Sequence, residues 1–76
     1  MNFKEQYFSI WQQGWELHKN FFGTSANDEK TWQRLNQECE QLDKQYADKP
    51  ERKFVQTLLL AVVGELERAG KHGQQN

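Results

Sequence analysis

The first 22 residues repeat apolar and polar positions with the period of an α-helix. At about 100° per residue, most polar side chains fill one half of a helical wheel and the apolar ones fill the other, with Lys4 as a polar intruder whose stem can lie along apolar surface. The apolar half contains Phe3, Tyr7, Phe8, Ile10, Trp11, Trp15, Leu17, Phe21 and Phe22. An alternating strand pattern fits this segment much worse. The pattern therefore predicts a first helix over residues 2–22, followed by Gly23, which tolerates the left-handed conformation common after helices.

A narrower apolar seam predicts a second helix over residues 26–47. Its apolar residues recur at spacings of 3, 4, 3 and 4, as they do in the seam of a coiled coil. The seam consists of Trp32, Leu35, Cys39, Leu42 and Tyr46. Ser25 is the expected N-cap, because Asp28 follows three residues later in a variant of the capping box.

A second broad apolar face predicts a third helix over residues 50–69. The face contains Phe54, Val55, Leu58, Leu59, Val62, Val63, Leu66 and Ala69. Asp48 is the expected cap, Pro50 fits the first turn, and Gly70 is expected to end the helix. Short connections favour antiparallel neighbours, so the sequence predicts an all-α fold, a small antiparallel three-helix bundle. Residues 1–70 are expected to form one domain and residues 71–76 a disordered tail.

Two unusual residues lie in the middle of the first apolar face. Glycine inside a helix costs about 1 kcal/mol relative to alanine, so Gly14 indicates either a packing notch for a neighbouring helix or ring, such as Trp32, or a notch for a ligand. Packing is the favoured interpretation. His18 must be hydrogen-bonded or open onto a cleft. A core or boundary histidine, bonded to a backbone carbonyl or a tyrosine hydroxyl, is favoured there over a pH-sensitive contact.

The two broad faces supply more apolar surface than one narrow seam can cover. The excess on the third helix is expected at Leu59, Leu60 and Val63. On the first helix it is expected at Phe8, Trp15 and Phe22, which are spaced by seven residues. Exposed clusters of this kind are usually interaction sites. The sequence therefore predicts a protein-interaction module whose partner is another protein or a second copy, with Leu60 in or beside a two-fold interface.

Charge makes nucleic acid the weaker alternative. Ten basic and eleven acidic side chains give a net charge of −1, which is no electrostatic footprint for DNA or an anionic membrane. A local basic cluster nevertheless surrounds the second turn, at Lys44, Lys49, Arg52 and Lys53. The second and third helices could imitate a helix-turn-helix, which leaves a small nucleic-acid-associated regulator as the alternative. Asp48 and Glu51 dilute the cluster.

Residues suited to catalysis or metal binding are few. The chain has one cysteine and two histidines, without close ligand spacing, so we expect no enzyme activity, no cofactor and no metal. Cys39 occupies a seam position and is interpreted as a core residue. No segment is long and apolar enough for a membrane span. With a single unpaired thiol, a cytoplasmic location is expected.

Overall fold

Three helices account for most of the chain, as the apolar pattern predicts. The structure, a computed structural model, describes residues 2–74 and the side chains of residues 2–70. The helices are α1 (Phe3–Phe21), α2 (Glu29–Gln45) and α3 (Arg52–Gln74), and the described residues contain no strand. The predicted all-α three-helix bundle is therefore confirmed.

The helices run up, down and up, so that α1 and α3 lie parallel. Near the start of α1, the ring of Tyr7 lies 5.4 Å from that of Phe54, near the start of α3. The chain reverses in between, since Tyr46 at the end of α2 donates a hydrogen bond of 3.2 Å to Gln13 of α1. The packing of α1 on α3 is more extensive than that of either helix on α2. The result is an elongated molecule of 47 × 20 × 16 Å.

The core lies mainly between α1 and α3. Its buried members are Ile10, Leu17 and Phe21 of α1, Leu35 of α2, and Val55, Leu59, Val62 and Leu66 of α3. Burying each side chain of this size contributes about 1.5–3 kcal/mol. The other seam residues of α2 are partly buried against this core, as the heptad spacing predicts; they are Trp32, Cys39, Leu42 and Tyr46. Thus α2 covers the α1–α3 pair with a narrow strip only.

Side-chain and backbone caps fix the ends of α1 and the start of α2. The Oδ1 atom of Asn2 accepts a hydrogen bond of 2.9 Å from the backbone N–H of Glu5. Gly23 follows α1 with φ of +85°, which confirms the predicted left-handed residue. The cap of α2 is Asp28, whose side chain accepts from the N–H of Thr31. The prediction of Ser25 as N-cap is wrong, because α2 begins three residues later than expected.

Both ends of α3 also differ from the sequence prediction. The helix begins at Arg52, and its first bond joins the N–H of Val55 to the carbonyl of Glu51. Asp48 is therefore too early to cap it, since a tight turn occupies residues 46–51. Gly70 does not end the helix, which continues to Gln74; residues 75–76 of the expected tail lie outside the described residues. A Cβ atom at Gly70 would lie 2.8 Å from the carbonyl oxygen of Thr24, so this glycine permits close packing instead.

Candidate interaction surface

Four aromatic side chains lie in a line along the outside of α1. We call Phe8, Trp11, Trp15 and Phe22 the aromatic stripe. Their exposed fractions are 58%, 55%, 62% and 67%, respectively. At about 100° per residue, they fall within about 60° of one another around the helix. The stripe therefore follows one face of α1, with His18 and Lys19 between Trp15 and Phe22.

The stripe is exposed because α1 buries only one edge of its broad apolar arc. Ile10, Leu17 and Phe21 lie at that edge and are almost completely buried. These three positions cluster about 120° away from the middle of the stripe around the helix. Since α3 takes one side of α1 and α2 supplies only a narrow seam, the remaining part of the arc faces solvent.

Ring contacts hold the first part of the stripe against α3. The ring of Trp11 lies 5.4 Å from that of Phe54 in an edge-to-face arrangement. The ring of Tyr7 makes the same kind of edge-to-face contact with Phe54, and Phe3 stacks on Tyr7 at 4.9 Å. Aromatic pairs of this geometry are worth about 0.5–1.5 kcal/mol beyond the area that they bury. Trp11 is therefore held in place while more than half of its surface stays exposed.

The second part of the stripe contains a groove. Trp15, His18, Lys19 and Phe22 line an open surface depression of about 350 Å³. Their spacing of i, i+3, i+4 and i+7 is that of the four residues that form a hole in coiled-coil packing. His18 is half-buried at this groove, with its ring 6.3 Å from that of Phe22. The sequence predicts that His18 is either hydrogen-bonded or open onto a cleft, and the structure places it beside a cleft.

Charges of both signs border the groove. The amine of Lys19 lies 3.2 Å from a carboxylate oxygen of Glu16. On α3, Arg68 donates hydrogen bonds to Glu65. These bonds, with smaller contributions from the charges of Arg68 and His18, hold the pKa of Glu65 below its usual value. Exposed pairs of this kind contribute little to stability, so they act mainly as a polar border to the apolar surface.

The three candidate residues on α3 do not form a common exposed patch. Leu59 is only 8% exposed and belongs to the core, so its prediction as a surface residue is wrong. Val63 is partly buried and packs against that core. Leu60 is 75% exposed, but it lies about 200° around the helix from Leu58, which faces Gly14 of α1. Leu60 is therefore an isolated exposed leucine on a different side from the aromatic stripe.

The basic cluster is exposed but discontinuous. Lys44, Lys49, Arg52 and Lys53 all lie on the surface at the α2–α3 turn. The guanidinium of Arg52 lies 3.6 Å from the carboxylate of Asp43, which offsets its charge. Lys53 follows Arg52 directly and so projects about 100° away from it around α3. Nearby, Glu51 is buried and accepts a hydrogen bond from Gln6. The arrangement supplies no row of cations along one helix face.

The cysteine and the central histidine lie in different surroundings. Cys39 is partly buried against the core on α2. Burial, followed by the negative charge of Glu38, raises the pKa of its thiol. His18 borders the groove on the outer side of α1. A thiol with a raised pKa is a poor nucleophile at neutral pH, so this pair does not resemble a catalytic site.

A polar groove of about 470 Å³ separates α1 from α2. Its walls carry mainly amide side chains, including Gln12, Gln13, Gln41 and Gln45, together with the carboxylates of Glu16 and Glu38. Glu38 lies 3.8 Å from Arg34. Amides and paired carboxylates are typical of a solvated helix face.

In the part of the chain that the structure describes, no group of three or more His, Cys, Asp and Glu side chains is arranged to hold a metal ion. The helices in that part are each too short or too polar to cross a membrane. The chain matches no protein-family model, and no curated protein or solved structure is significantly similar to it.

Sequence reasoning missed Trp11 and Phe3 as exposed aromatics. Both belong to the broad apolar arc, and Trp11 is close to its middle, which favours a buried position. The available signal was the spacing of Trp11 from Phe8 and Trp15, by three and four residues, which places all three on one face. This spacing does not reveal which edge of the arc faces the core.

Proposed function

We propose that this chain is a protein-interaction module that docks a partner through the aromatic stripe of α1, and that it has no enzymatic activity. The observation that carries the proposal is the exposure of four large aromatic side chains in one line. Exposed apolar patches rimmed by polar residues typically mark interaction sites. Tryptophan in particular is enriched among the residues that dominate binding energy.

The groove supports docking of a protein side chain. Its four residues form an open, mainly apolar depression on a regular helix. The paired charges beside it, Lys19 with Glu16 and Arg68 with Glu65, resemble the polar rim that surrounds the apolar centre of protein interfaces. A partner that covered the stripe would gain roughly 25 cal/mol for each Å² of apolar surface removed from water.

Other functions have less support. The pairing of Arg52 with Asp43 and the absence of a cationic row weaken the nucleic-acid alternative. The raised pKa of Cys39 weakens a role for it as a nucleophile. A cytoplasmic location accompanies the proposal, because a single thiol suits a reducing compartment.

Site-specific photo-cross-linking in cells that express the protein tests the proposal. A photoreactive phenylalanine analogue replaces Trp15 in one variant and Gln37, on the exposed side of α2, in the control. We expect protein adducts from position 15 that are absent from position 37. Equal adduct patterns from both positions, or no protein adduct at position 15, would contradict docking through the stripe.

A further inference from the structure

Three members of the aromatic stripe are spaced symmetrically about Trp15. Phe8 lies seven residues before Trp15, and Phe22 lies seven residues after it. When two such helices pack antiparallel around a two-fold axis at Trp15, Phe8 of each copy meets Phe22 of the other. A two-fold contact needs one self-complementary patch, and this spacing provides one.

We infer that the partner on the stripe is a second copy of this chain, with the two α1 helices antiparallel and Trp15 near the axis. The inference rests on the function proposed above and specifies the partner. It also gives the groove an occupant. The centre of the groove lies about 3.5 residues after Trp15, and Trp11 lies four residues before Trp15. The two-fold axis therefore directs the ring of Trp11 in each copy into the groove of the other.

Size and placement suit this knob-into-hole contact. The groove encloses about 350 Å³, whereas a cavity of about 150 Å³ is enough to bind benzene. Trp11 is already positioned by Phe54, so its ring loses little conformational freedom on docking. Trp15 and Phe22 provide apolar walls, and Lys19 also lines the groove.

The area of the stripe matches the needs of a dimer. A large aromatic side chain buries about 150–250 Å² when it is fully covered. With more than half of each of the four rings exposed, covering them removes roughly 500 Å² per copy, or roughly 1,000 Å² in all. This is the size at which a specific interface becomes credible, before any contribution from neighbouring residues.

Charges near the axis do not oppose the contact. In the antiparallel register, Lys19 lies opposite Trp11 and beside Gln12 of the second copy, whereas Glu16 lies about 100° around α1 from Trp15, on a flank of the contact. No like charges meet there, and the amine of Lys19 can approach an indole face. A lipid surface fits less well, because the groove residue Lys19 is paired with Glu16, the carboxylate of Glu65 interacts with the charge of His18, and the net charge is −1.

Sedimentation equilibrium of the purified chain tests the presence of the dimer. We expect a wild-type dimer, a shift of at least tenfold towards monomer for Trp15→Glu and for Phe22→Glu, and no shift for Leu60→Glu. All three positions are more than half exposed, so circular dichroism should report unchanged helicity. A wild type that stays monomeric at high concentration, or a dimer that only Leu60→Glu dissociates, would overturn the inference.

Thiol cross-linking tests the orientation. In a Cys39→Ser background, Gln12→Cys and Lys19→Cys are made in separate chains. The antiparallel register brings position 12 of one chain close to position 19 of the other. It keeps each position about 9–12 Å, measured along the helix, from the same position in the second chain. A short thiol cross-linker should therefore join the mixed chains much faster than either chain alone. Faster joining of each chain to itself would indicate parallel helices and overturn the register.

These outcomes separate the inference from the proposed function. A monomeric wild type that still gives adducts with a different protein at position 15 would remove the second copy and keep the interaction module. A monomer without such adducts would remove both. Binding of a monomer to vesicles of anionic phospholipid would assign the stripe to a membrane surface and overturn the inference.

Discussion

Gly14 of α1 lies directly against Leu58 of α3. A Cβ atom at Gly14 would be 2.9 Å from Cδ2 of Leu58 and 3.4 Å from its Cγ. The glycine thus allows the parallel helices to approach closely. We expect Gly14→Leu to destabilise the fold by about 1–3 kcal/mol through overpacking. Gly14→Ala should change stability by less than about 1 kcal/mol, because the end of Leu58 can move and alanine favours the helix.

Urea denaturation of both variants measures these differences. The double variant Gly14→Leu, Leu58→Ala should lose less unfolding free energy than the sum of the losses in the two single variants, since the smaller residue frees room for the larger one. Strict additivity would show that Leu58 is not the residue that limits space at position 14.

Two glycines of α3 provide a matched comparison. A Cβ atom at Gly70 would meet the backbone oxygen of Thr24 at 2.8 Å, whereas nothing lies within 4 Å of one at Gly64. We expect Gly64→Ala to stabilise the protein by about 1 kcal/mol and raise Tm by several degrees. Gly70→Ala should destabilise it, because the backbone of the α1–α2 loop must move. Equal shifts of Tm in the two variants would refute the close contact at Gly70.

The sequence predicts the helices well because each signal is local. The seam from Trp32 to Tyr46 and the left-handed residue Gly23 both depend on spacing within one segment, and the structure has them as predicted. Gly70 failed as a helix end because its role comes from Thr24, which lies far away in the sequence. Likewise, the neighbour of Gly14 depends on the register between two helices, which periodicity within one helix does not fix.

The candidate site shows the same limit. Helical spacing places Phe8, Trp15 and Phe22 on one side of α1, and all three are exposed. The wheel gives the angle between Leu59 and Leu60 but not the rotation of α3 about its own axis. Contacts with α1 and α2 set that rotation, and they bury Leu59. The apolar pattern therefore could not determine which of the candidate residues of α3 are exposed.

The cap of α2 should make stability depend on pH. The carboxylate of Asp28 accepts hydrogen bonds from the hydroxyl of Thr31 at 2.7 Å and from its N–H at 3.2 Å. These bonds hold the pKa of Asp28 below its usual value. The stabilisation is then fully present above the usual pKa and is lost as pH falls through the native pKa.

We therefore expect Asp28→Ala to lower Tm by a few degrees at neutral pH. The difference from wild type should shrink in strongly acidic solution. Thermal melts followed by circular dichroism at several pH values measure it, with Asp48→Ala as the control, since Asp48 lies in the turn before α3. A deficit that stays constant down to strong acid would exclude the carboxylate as its source.

Reaction of Cys39 with a thiol reagent should be slow in the folded protein. Burial against the core, and then the charge of Glu38, raise the pKa of its thiol. We expect the rate of modification to rise only at higher pH than for a free thiol, and to increase markedly in denaturant. Glu38→Gln should accelerate the native reaction modestly. As a control, Gln37→Cys in a Cys39→Ser background should react like an exposed thiol, and equal native rates would contradict the burial of Cys39.

The parallel pairing of α1 with α3 sets the order in which the chain can fold. The hydrogen bond between Gln6 and Glu51 joins residues 45 positions apart, and the core lies mainly between these two helices. During synthesis, α1 therefore emerges long before the helix that covers it. Closing so long a loop has an entropic cost that contacts within a helical hairpin avoid. Without α3, Ile10, Leu17 and Phe21 have only the narrow seam of α2 as a partner, so a chain truncated before α3 should stay open to proteolysis.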